Sequence, residues 1–138
     1  MPPVATVNDV CLDEYQALKL RKKHKYVVFN LNDDNTEIVV ERVSSSESYD
    51  DFIADLPEAE CRWAVYDFEF EQEGAGKQEK LTFISWAPDT ANAEQKTLFA
   101  ASKNELRRSL NGIAVEIEGT DHSEVGYESL LDMAKQRK

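Results

Sequence analysis

The sequence predicts an α/β (α+β) fold in which a mixed sheet is sandwiched between helices on both of its faces. Three observations lead to this prediction. Apolar and amphipathic segments follow one another in the order helix, hairpin, helix, hairpin, helix, strand, helix. Asn and Asp mark the turn of the first hairpin, and Gly marks the turn of the second. The 138 residues, 41% of them hydrophobic, suit a single domain over residues 1–138.

The first half of the chain is expected to hold an arm, a helix and a hairpin. An extended arm at residues 1–7 leads into a helix over residues 9–20, which Asn8 can cap. The nearly continuous apolar run at residues 26–31 predicts a strand buried on both faces, and a polar turn returns the chain as a strand over residues 36–43. One face of the helix carries Cys11, Tyr15 and Leu18.

The second hairpin is expected to be long and to project beyond the sheet. A short helix over residues 49–56, which Ser48 can cap, precedes its first strand at residues 61–71. Acidic residues alternate along the far half of this strand, which favours a strand end that enters water over a divalent-ion site. These acids are Asp67, Glu69 and Glu71. A Gly turn and a partner strand at residues 80–86 then place Lys77 and Lys80 near the tip.

A long helix over residues 91–110 organises the rest of the chain. Thr90 can cap it through its hydroxyl, and Gly112 suits the left-handed residue that closes it. A strand over residues 113–117 and a last helix over residues 127–137 follow. On a helical wheel the core-facing stripe of the long helix consists of Phe99, Leu106 and Leu110.

A second stripe on the long helix is cationic and consists of Lys96, Lys103 and Arg107. Such a stripe beside a buried seam can contact an acidic partner. A solvated helix face, with Arg107 and Arg108 complementing the helix dipole, has the same pattern. Spacing alone leaves both interpretations open.

Composition limits the possible partners and compartments. The formal charge of −11 argues against general nucleic-acid binding, which needs a cationic surface. The start lacks a secretory signal pattern, and no apolar run approaches the roughly 20 residues of a membrane span. Cys11 and Cys61 are expected to be reduced core thiols of a cytoplasmic protein. The basic run Arg21, Lys22, Lys23, His24 and Lys25 predicts a nuclear-import patch, a partner contact or a helix end favoured by the dipole.

The pattern of reactive residue types does not favour an enzyme. His24 and His122 lie in polar contexts without a nucleophile beside them, and the cysteines lack metal-ligand spacing. We therefore expect no catalytic residues, no metal and no cofactor. An acidic hydrolase using Asp67 or Glu69 is the alternative from another class, and the interpretation that the sequence favours is a binding module.

Several segments together resemble the actin-depolymerising factor/cofilin family, in its fungal and amoeboid members above all. These segments are LKLRKKHKYVVF at 18–29, DDNTEIVV at 33–40, LPEAECRWAVYDFEF at 56–70, FISWAPDT at 83–90, SKNELRRSLNG at 102–112 and GTDHSEV at 119–125. The resemblance covers nearly the whole chain. It implies a cofilin-like (ADF-homology) domain with a mixed five- to six-stranded sheet between two pairs of helices.

The resemblance implies a monomeric protein that binds ADP-actin monomers and filaments, promotes severing and depolymerisation, and belongs to the actin cytoskeleton. It also implies phosphoinositides as inhibitors. By position, the monomer-binding surface carries over to the arm and the long helix as Val4, Lys96, Thr97, Leu98, Lys103, Asn104, Arg107 and Arg108. The filament-binding surface carries over to the projecting hairpin and the last helix as Lys77, Lys80, Asp132 and Lys135.

This chain departs from the family pattern at several of these places. Pro3 stands where many members have a phosphorylatable serine, and Glu94 stands where a basic residue is usual. Thr97 replaces the usual methionine, and Gln78, Met133 and Gln136 stand where basic residues are common. We therefore expect weakened filament engagement. The alternative on the same fold is a glia-maturation-factor-like module that acts on the Arp2/3-type branch-nucleating complex.

Overall fold

The structure, a computed structural model, describes residues 5–21, 24–34, 36–46, 48–72, 74 and 76–136. Residues 6–7 form an extended strand, as expected for the arm. In chain order the elements are β1 (Thr6–Val7), α1 (Asp9–Arg21), β2 (Tyr26–Leu31), β3 (Glu37–Ser44), α2 (Tyr49–Ala54), β4 (Arg62–Gln72), β5 (Gly76–Trp86), α3 (Ala93–Ser109), β6 (Val115–Gly119) and α4 (Tyr127–Gln136).

The strands form one mixed sheet in the order β1-β3-β2-β4-β5-β6. β1 runs parallel to β3, and β6 runs parallel to β5, while the inner pairs are antiparallel. The predicted mixed sheet of five to six strands is therefore confirmed, with six strands among the described residues. Its order leaves β6 at one edge, beside β5.

Two hydrophobic cores fill the two faces of the sheet, because side chains alternate along each strand. Trp63, Val65 and Phe83 face α1 and α3 in one core. Tyr66, Ile84 and their neighbours face α2 and α4 in the other. Four helices thus cover the sheet in two pairs, as the resemblance implied. The helix faces predicted to be buried are buried, namely Cys11, Tyr15, Leu18, Phe99, Leu106 and Leu110.

The hairpin of β4 and β5 extends past its neighbours in the sheet. β2 pairs with β4 only over residues 63–66, and β6 pairs with β5 only over residues 82–86. The rest of β4 and β5 pair with each other, up to Gln72 opposite Gly76. The predicted projecting hairpin is confirmed, and we call its part beyond the neighbouring strands the ribbon. Its second strand begins four residues earlier than predicted, at Gly76 rather than Lys80.

Two local predictions were wrong. Asn92, not Thr90, caps α3 by accepting a hydrogen bond from the Gln95 N–H at 2.7 Å. The Thr90 hydroxyl instead donates to the Glu58 carbonyl, so residues 88–91 form a turn before the helix. Asp67 does not enter water: it is 2% exposed, and its N–H donates to the Lys25 carbonyl at 2.9 Å.

Candidate functional site

The cationic stripe lies along the flank of α3, beside the face that packs on the sheet. Phe99 and Leu106 anchor the helix in the core, and the Phe99 ring lies 4.2 Å from the Trp63 ring between centroids. The 100° step of the helix then turns Lys103 and Arg107 toward the neighbouring edge strand β6. The structure therefore brings the predicted cations together on one side of one rigid helix.

Each cation of the stripe has a partner within the chain. Lys96 Nζ donates to the Asp89 carbonyl at 3.1 Å, which ties the first turns of α3 to the loop before it. Lys103 forms an ion pair with Glu118, and Arg107 forms one with Glu116. Two of the three stripe cations are therefore in ion pairs with acids of β6, and the third, Lys96, bonds a backbone carbonyl.

The period of β6 explains these pairs. Val115 and Ile117 point into the core with α4, so Glu116 and Glu118 point to the other face of the sheet, where α3 lies. The acids are the more exposed partners: the Glu118 side chain is 74% exposed against 23% for Lys103. A molecule that approaches this flank of α3 therefore meets carboxylates as well as cations.

Arg108 differs from the stripe residues in its exposure. Its side chain is 71% exposed, and its partner is Glu105, one turn earlier on the same helix. Asn104 and Thr97 are also exposed, whereas Leu98 is half-buried against the α1–α3 core. The Thr97 hydroxyl donates to the Ala93 carbonyl at 3.0 Å, so it is occupied by its own helix.

The arm is held against α3. The Ala5 N–H donates to Ser102 Oγ at 3.3 Å, and both residues are buried. β1 continues the arm along β3 through a hydrogen bond from the Thr6 N–H to the Thr36 carbonyl. Val4 lies outside the described residues. Its neighbour Ala5 contacts α3, the helix that carries the cations, through the hydrogen bond to Ser102. Sequence reasoning missed Ser102, because a single small polar residue on a helix face has no distinguishing pattern.

The two hairpin lysines lie on opposite faces of the ribbon. Lys80 is opposite Phe68, whose ring belongs to the α2–α4 core, whereas Lys77 is opposite Glu71 on the α1–α3 side. Lys77 Nζ lies 2.8 Å from Glu69 Oε2. That hydrogen bond lowers the pKa of Glu69 below its usual value.

Of the two predicted residues of α4, Asp132 lies toward β6. Asp132 is exposed and lines a shallow cleft of about 460 Å³ together with Glu116, Glu118 and Glu124. The side chain of Lys135 lies outside what the structure describes. The structure thus places Lys80 and α4 on the same face of the sheet, and Lys77 on the other.

The basic run after α1 is partly occupied by internal contacts. His24 Nε2 lies 2.5 Å from Glu14 Oε2, and Lys25 Nζ lies 3.6 Å from Glu69 Oε1. Lys22 and Lys23 lie outside the described residues, as does the side chain of Arg21. The import patch therefore stays a prediction.

The groups considered for chemistry are engaged in the fold. Burial raises the pKa of the Cys11 thiol to about 11 and raises that of Cys61 as well. The His122 ring lies 4.8 Å from the Trp86 ring between centroids, tilted by 38°, and its Nε2 lies 3.3 Å from the Leu56 carbonyl. Among the residues that the structure describes, no three His, Cys, Asp or Glu side chains cluster as metal ligands. Within the same residues, no helix has the length and apolar character of a membrane span.

Comparison with known proteins places this geometry in a family. The model of the Cofilin/tropomyosin-type actin-binding protein family matches residues 4–135. The chain belongs to this family. Cofilin of Mycosarcoma maydis is 56% identical over 126 residues, covering 91% of each chain. Cofilin of Saccharomyces cerevisiae is 49% identical over 127 residues, covering 91% of this chain and 89% of its own.

Solved structures of the cofilin family share the fold. The crystal structure of Streptomyces griseoflavus cofilin is 60% identical and superposes with a TM-score of 0.92, covering 97% of this chain and 99% of its own. Plasmodium berghei actin depolymerization factor 2 is 27% identical with a TM-score of 0.86, covering 98% of this chain and 99% of its own. Actin binding and depolymerisation are therefore the function of this chain, and these relatives do not favour the branch-nucleating alternative.

Proposed function

We propose that the flank of α3, together with the arm docked on it, is the surface that binds the actin monomer, with ADP-actin preferred. The observation that supports this most is the alignment of Lys96, Lys103 and Arg107 on one rigid helix, with Arg108 exposed beside them. A row of cations is complementary to an acidic surface on a partner. The docking of Ala5 on Ser102 adds the arm to the same surface.

We propose that filament binding uses a second surface, formed by Lys80 and α4 with Asp132 and Lys135. Lys80 lies on the α4 face of the projecting ribbon, which supports its inclusion. Lys77 lies on the opposite face, so we infer that its contribution is smaller. Binding at both surfaces would favour a twisted filament state and promote severing by a shift in population.

The proposed activity is binding without covalent chemistry, by one unit over residues 1–138, acting as a monomer on the actin cytoskeleton. The engagement of His24, His122 and both thiols within the fold supports this reading. Phosphoinositide headgroups are anionic, so we propose that they compete with actin for the cations of α3.

The test of the monomer surface removes one exposed guanidinium. Arg108→Gln is expected to weaken binding to ADP-actin monomers about two- to fivefold, since an exposed charge contributes about 0.5–1 kcal/mol. Adding Lys96→Gln, at the other end of the stripe, is expected to bring the loss to about tenfold. Dissociation constants for ADP- and ATP-actin, measured by fluorescence with labelled actin, give both the loss and the nucleotide preference.

Arg42→Gln is the matched control. The Arg42 side chain is 59% exposed, is paired with Asp55 at 3.5 Å, and lies opposite Val28 of the α2–α4 core, on the other face of the sheet from α3. The same loss of one guanidinium at this position should leave the dissociation constant unchanged. Equal losses for Arg42→Gln and Arg108→Gln would show a general charge effect and would contradict the α3 surface.

The filament surface is tested by co-pelleting with ADP-actin filaments and by imaging filament length. Lys80→Gln is expected to reduce co-pelleting and severing while leaving the monomer dissociation constant unchanged. Lys77→Gln, on the other face, is the comparison variant and should have a smaller effect. A larger effect of Lys77→Gln would place the filament contact on the α1–α3 side of the ribbon.

A further inference from the structure

The acids of β6 lie directly beside the cations of the proposed actin-binding surface. Glu116 and Glu118 alternate with the core residues Val115 and Ile117, which turns both carboxylates toward α3. They pair with Arg107 and Lys103 respectively. Two of the cations that are expected to meet an acidic partner are thus already paired with acids of the same chain.

The exposure of each pair shows which partner a second molecule meets first. The Glu118 side chain is 74% exposed and that of Lys103 is 23% exposed. The Glu116 side chain is 42% exposed and that of Arg107 is 33% exposed. In both pairs the carboxylate is the more exposed group, by a wide margin for Glu118 and by a narrow one for Glu116. An acidic partner that approaches Lys103 therefore meets the Glu118 carboxylate beside it.

We propose that Glu118, and to a smaller extent Glu116, are affinity-setting residues that compete with actin for the cations of α3. This inference rests on the proposed function of α3. Binding of an acidic side chain to Lys103 requires that the ion pair with Glu118 be broken or shared. The acid also repels a carboxylate that approaches within a few ångströms. Both effects lower the affinity of the free protein for an acidic surface.

Lys103 and Arg107 are not equivalent under this competition. Arg107 also donates from Nη1 to the Leu110 carbonyl at 3.2 Å, so the end of α3 holds it in addition to Glu116. Among the hydrogen bonds and ion pairs described for Lys103 Nζ, Glu118 is the acceptor. Removing Glu118 therefore takes the described acceptor from Lys103, whereas removing Glu116 leaves Arg107 bonded to the Leu110 carbonyl. The larger exposure of Glu118 also favours a larger effect on binding.

The test replaces each acid by its neutral isostere. Glu118→Gln is expected to lower the dissociation constant for ADP-actin monomers about two- to fivefold at low salt, and Glu116→Gln is expected to lower it less. The gain should shrink as the ionic strength rises, because surface charges are screened within about 10 Å at 0.1 M salt. Thermal unfolding and circular dichroism establish that each variant is folded.

Asp50→Asn is the matched control. Asp50 is an exposed acid on α2, which covers the opposite face of the sheet, so this variant has the same change in net charge far from α3. It should bind like the unmodified protein. An equal gain for Asp50→Asn and Glu118→Gln would mean that net charge alone sets the affinity, and the proposal would be overturned.

A double variant tests whether Glu118 acts through Lys103. In the Lys103→Gln background, adding Glu118→Gln should give a smaller gain than it gives alone. Weaker binding by Glu118→Gln would instead mean that the ion pair positions Lys103 for actin, and this also overturns competition. If the unmodified chain does not bind actin at all, the proposed function fails. If it binds and Glu118→Gln has no effect, only the present inference fails.

Discussion

Replacing Ser102 by alanine tests how the arm is held on α3. Ser102 is 3% exposed, and its Oγ accepts the Ala5 N–H at 3.3 Å. The substitution leaves a buried N–H without that acceptor, which costs about 1–3 kcal/mol. Alanine returns about 0.5 kcal/mol through its higher helix propensity. The net loss in the free energy of unfolding is therefore about 0.5–2.5 kcal/mol.

The loss can occur in two ways, and two measurements separate them. If the arm stays docked, urea denaturation shows the full loss in the free energy of unfolding. If the arm detaches, the global value changes little, and the amide protons of Thr6 and Asn8 lose protection from hydrogen exchange. These protons are bonded to the Thr36 and Ile38 carbonyls of the neighbouring segment. Detachment of the arm should also raise the dissociation constant for actin monomers, because the arm belongs to the proposed surface, whereas a docked arm should leave it unchanged.

Ser109→Ala is the control on the same helix. Its hydroxyl donates to the Glu105 carbonyl of the preceding turn and is only half-buried, so removing it strands no buried donor. We expect a change within about 0.5 kcal/mol of zero. The reasoning would be refuted if Ser102→Ala matched this control in stability, in amide protection and in actin binding.

Three further changes have outcomes that follow from the structure. Glu94→Arg, at the exposed first turn of α3, should lower the actin dissociation constant about two- to fivefold, which titration would show. The positive charge at the helix N-terminus should also lower the free energy of unfolding by about 0.3–1 kcal/mol, which urea denaturation would show. Gly112→Ala should lower the free energy of unfolding by about 1–2 kcal/mol, because φ is +94° and the added Cβ would lie 2.7 Å from Lys19 Nζ; unchanged denaturation would contradict this. Stability should fall as the pH rises from about 9 toward 12, because burial raises the pKa of the Cys11 thiol to about 11 and raises the pKa of three tyrosines above the unfolded value of about 10, so that the unfolded state loses protons first. The three tyrosines are Tyr15, Tyr26 and Tyr66, and the pKa of each is about 12 in the folded protein. Urea denaturation at several alkaline pH values checks this prediction.

Period and turn chemistry were enough to predict most of the fold. The stripe of Phe99 and Leu106 could be found because a helix of five turns repeats its buried positions several times. The two cores could be found because Trp63 and Val65 alternate with Ala64 and Tyr66 along one strand. Signals of this kind are local, and they need no knowledge of which elements meet.

The predicted start of α3 was wrong because two candidate capping residues lie close together there. Thr90 and Asn92 can both accept a backbone N–H, and Asn is on average the better cap. Tertiary contact also acts against Thr90, since its hydroxyl donates to the Glu58 carbonyl on a distant loop. Asp67 was assigned to water for a related reason: the sequence does not show that the segment before β2 lies beside it, where the Lys25 carbonyl accepts the Asp67 N–H.

The residues of the candidate site could be predicted from the sequence, but the pairing between them could not. The cations of α3 follow from helical spacing, and the acids of β6 follow from strand spacing, so each set is visible in the sequence. Their pairing is not, because it requires β6 to lie parallel to β5, with Glu118 opposite Ser85. Spacing presents the stripe as free positive charge, but in the folded chain Lys103 and Arg107 are in ion pairs with acids of β6.

The position of β6 relates this pairing to the second proposed surface. The strand lies at the edge of the sheet, and its acids Glu116 and Glu118 pair with cations of α3. The same two acids also line the cleft that holds Asp132 beside α4. The two proposed surfaces therefore meet at β6, because an edge strand has no further strand beyond it to separate them. A change of charge at Glu118 or Glu116 is expected to reach both proposed surfaces, so its effects on monomer binding and on filament binding have to be measured together.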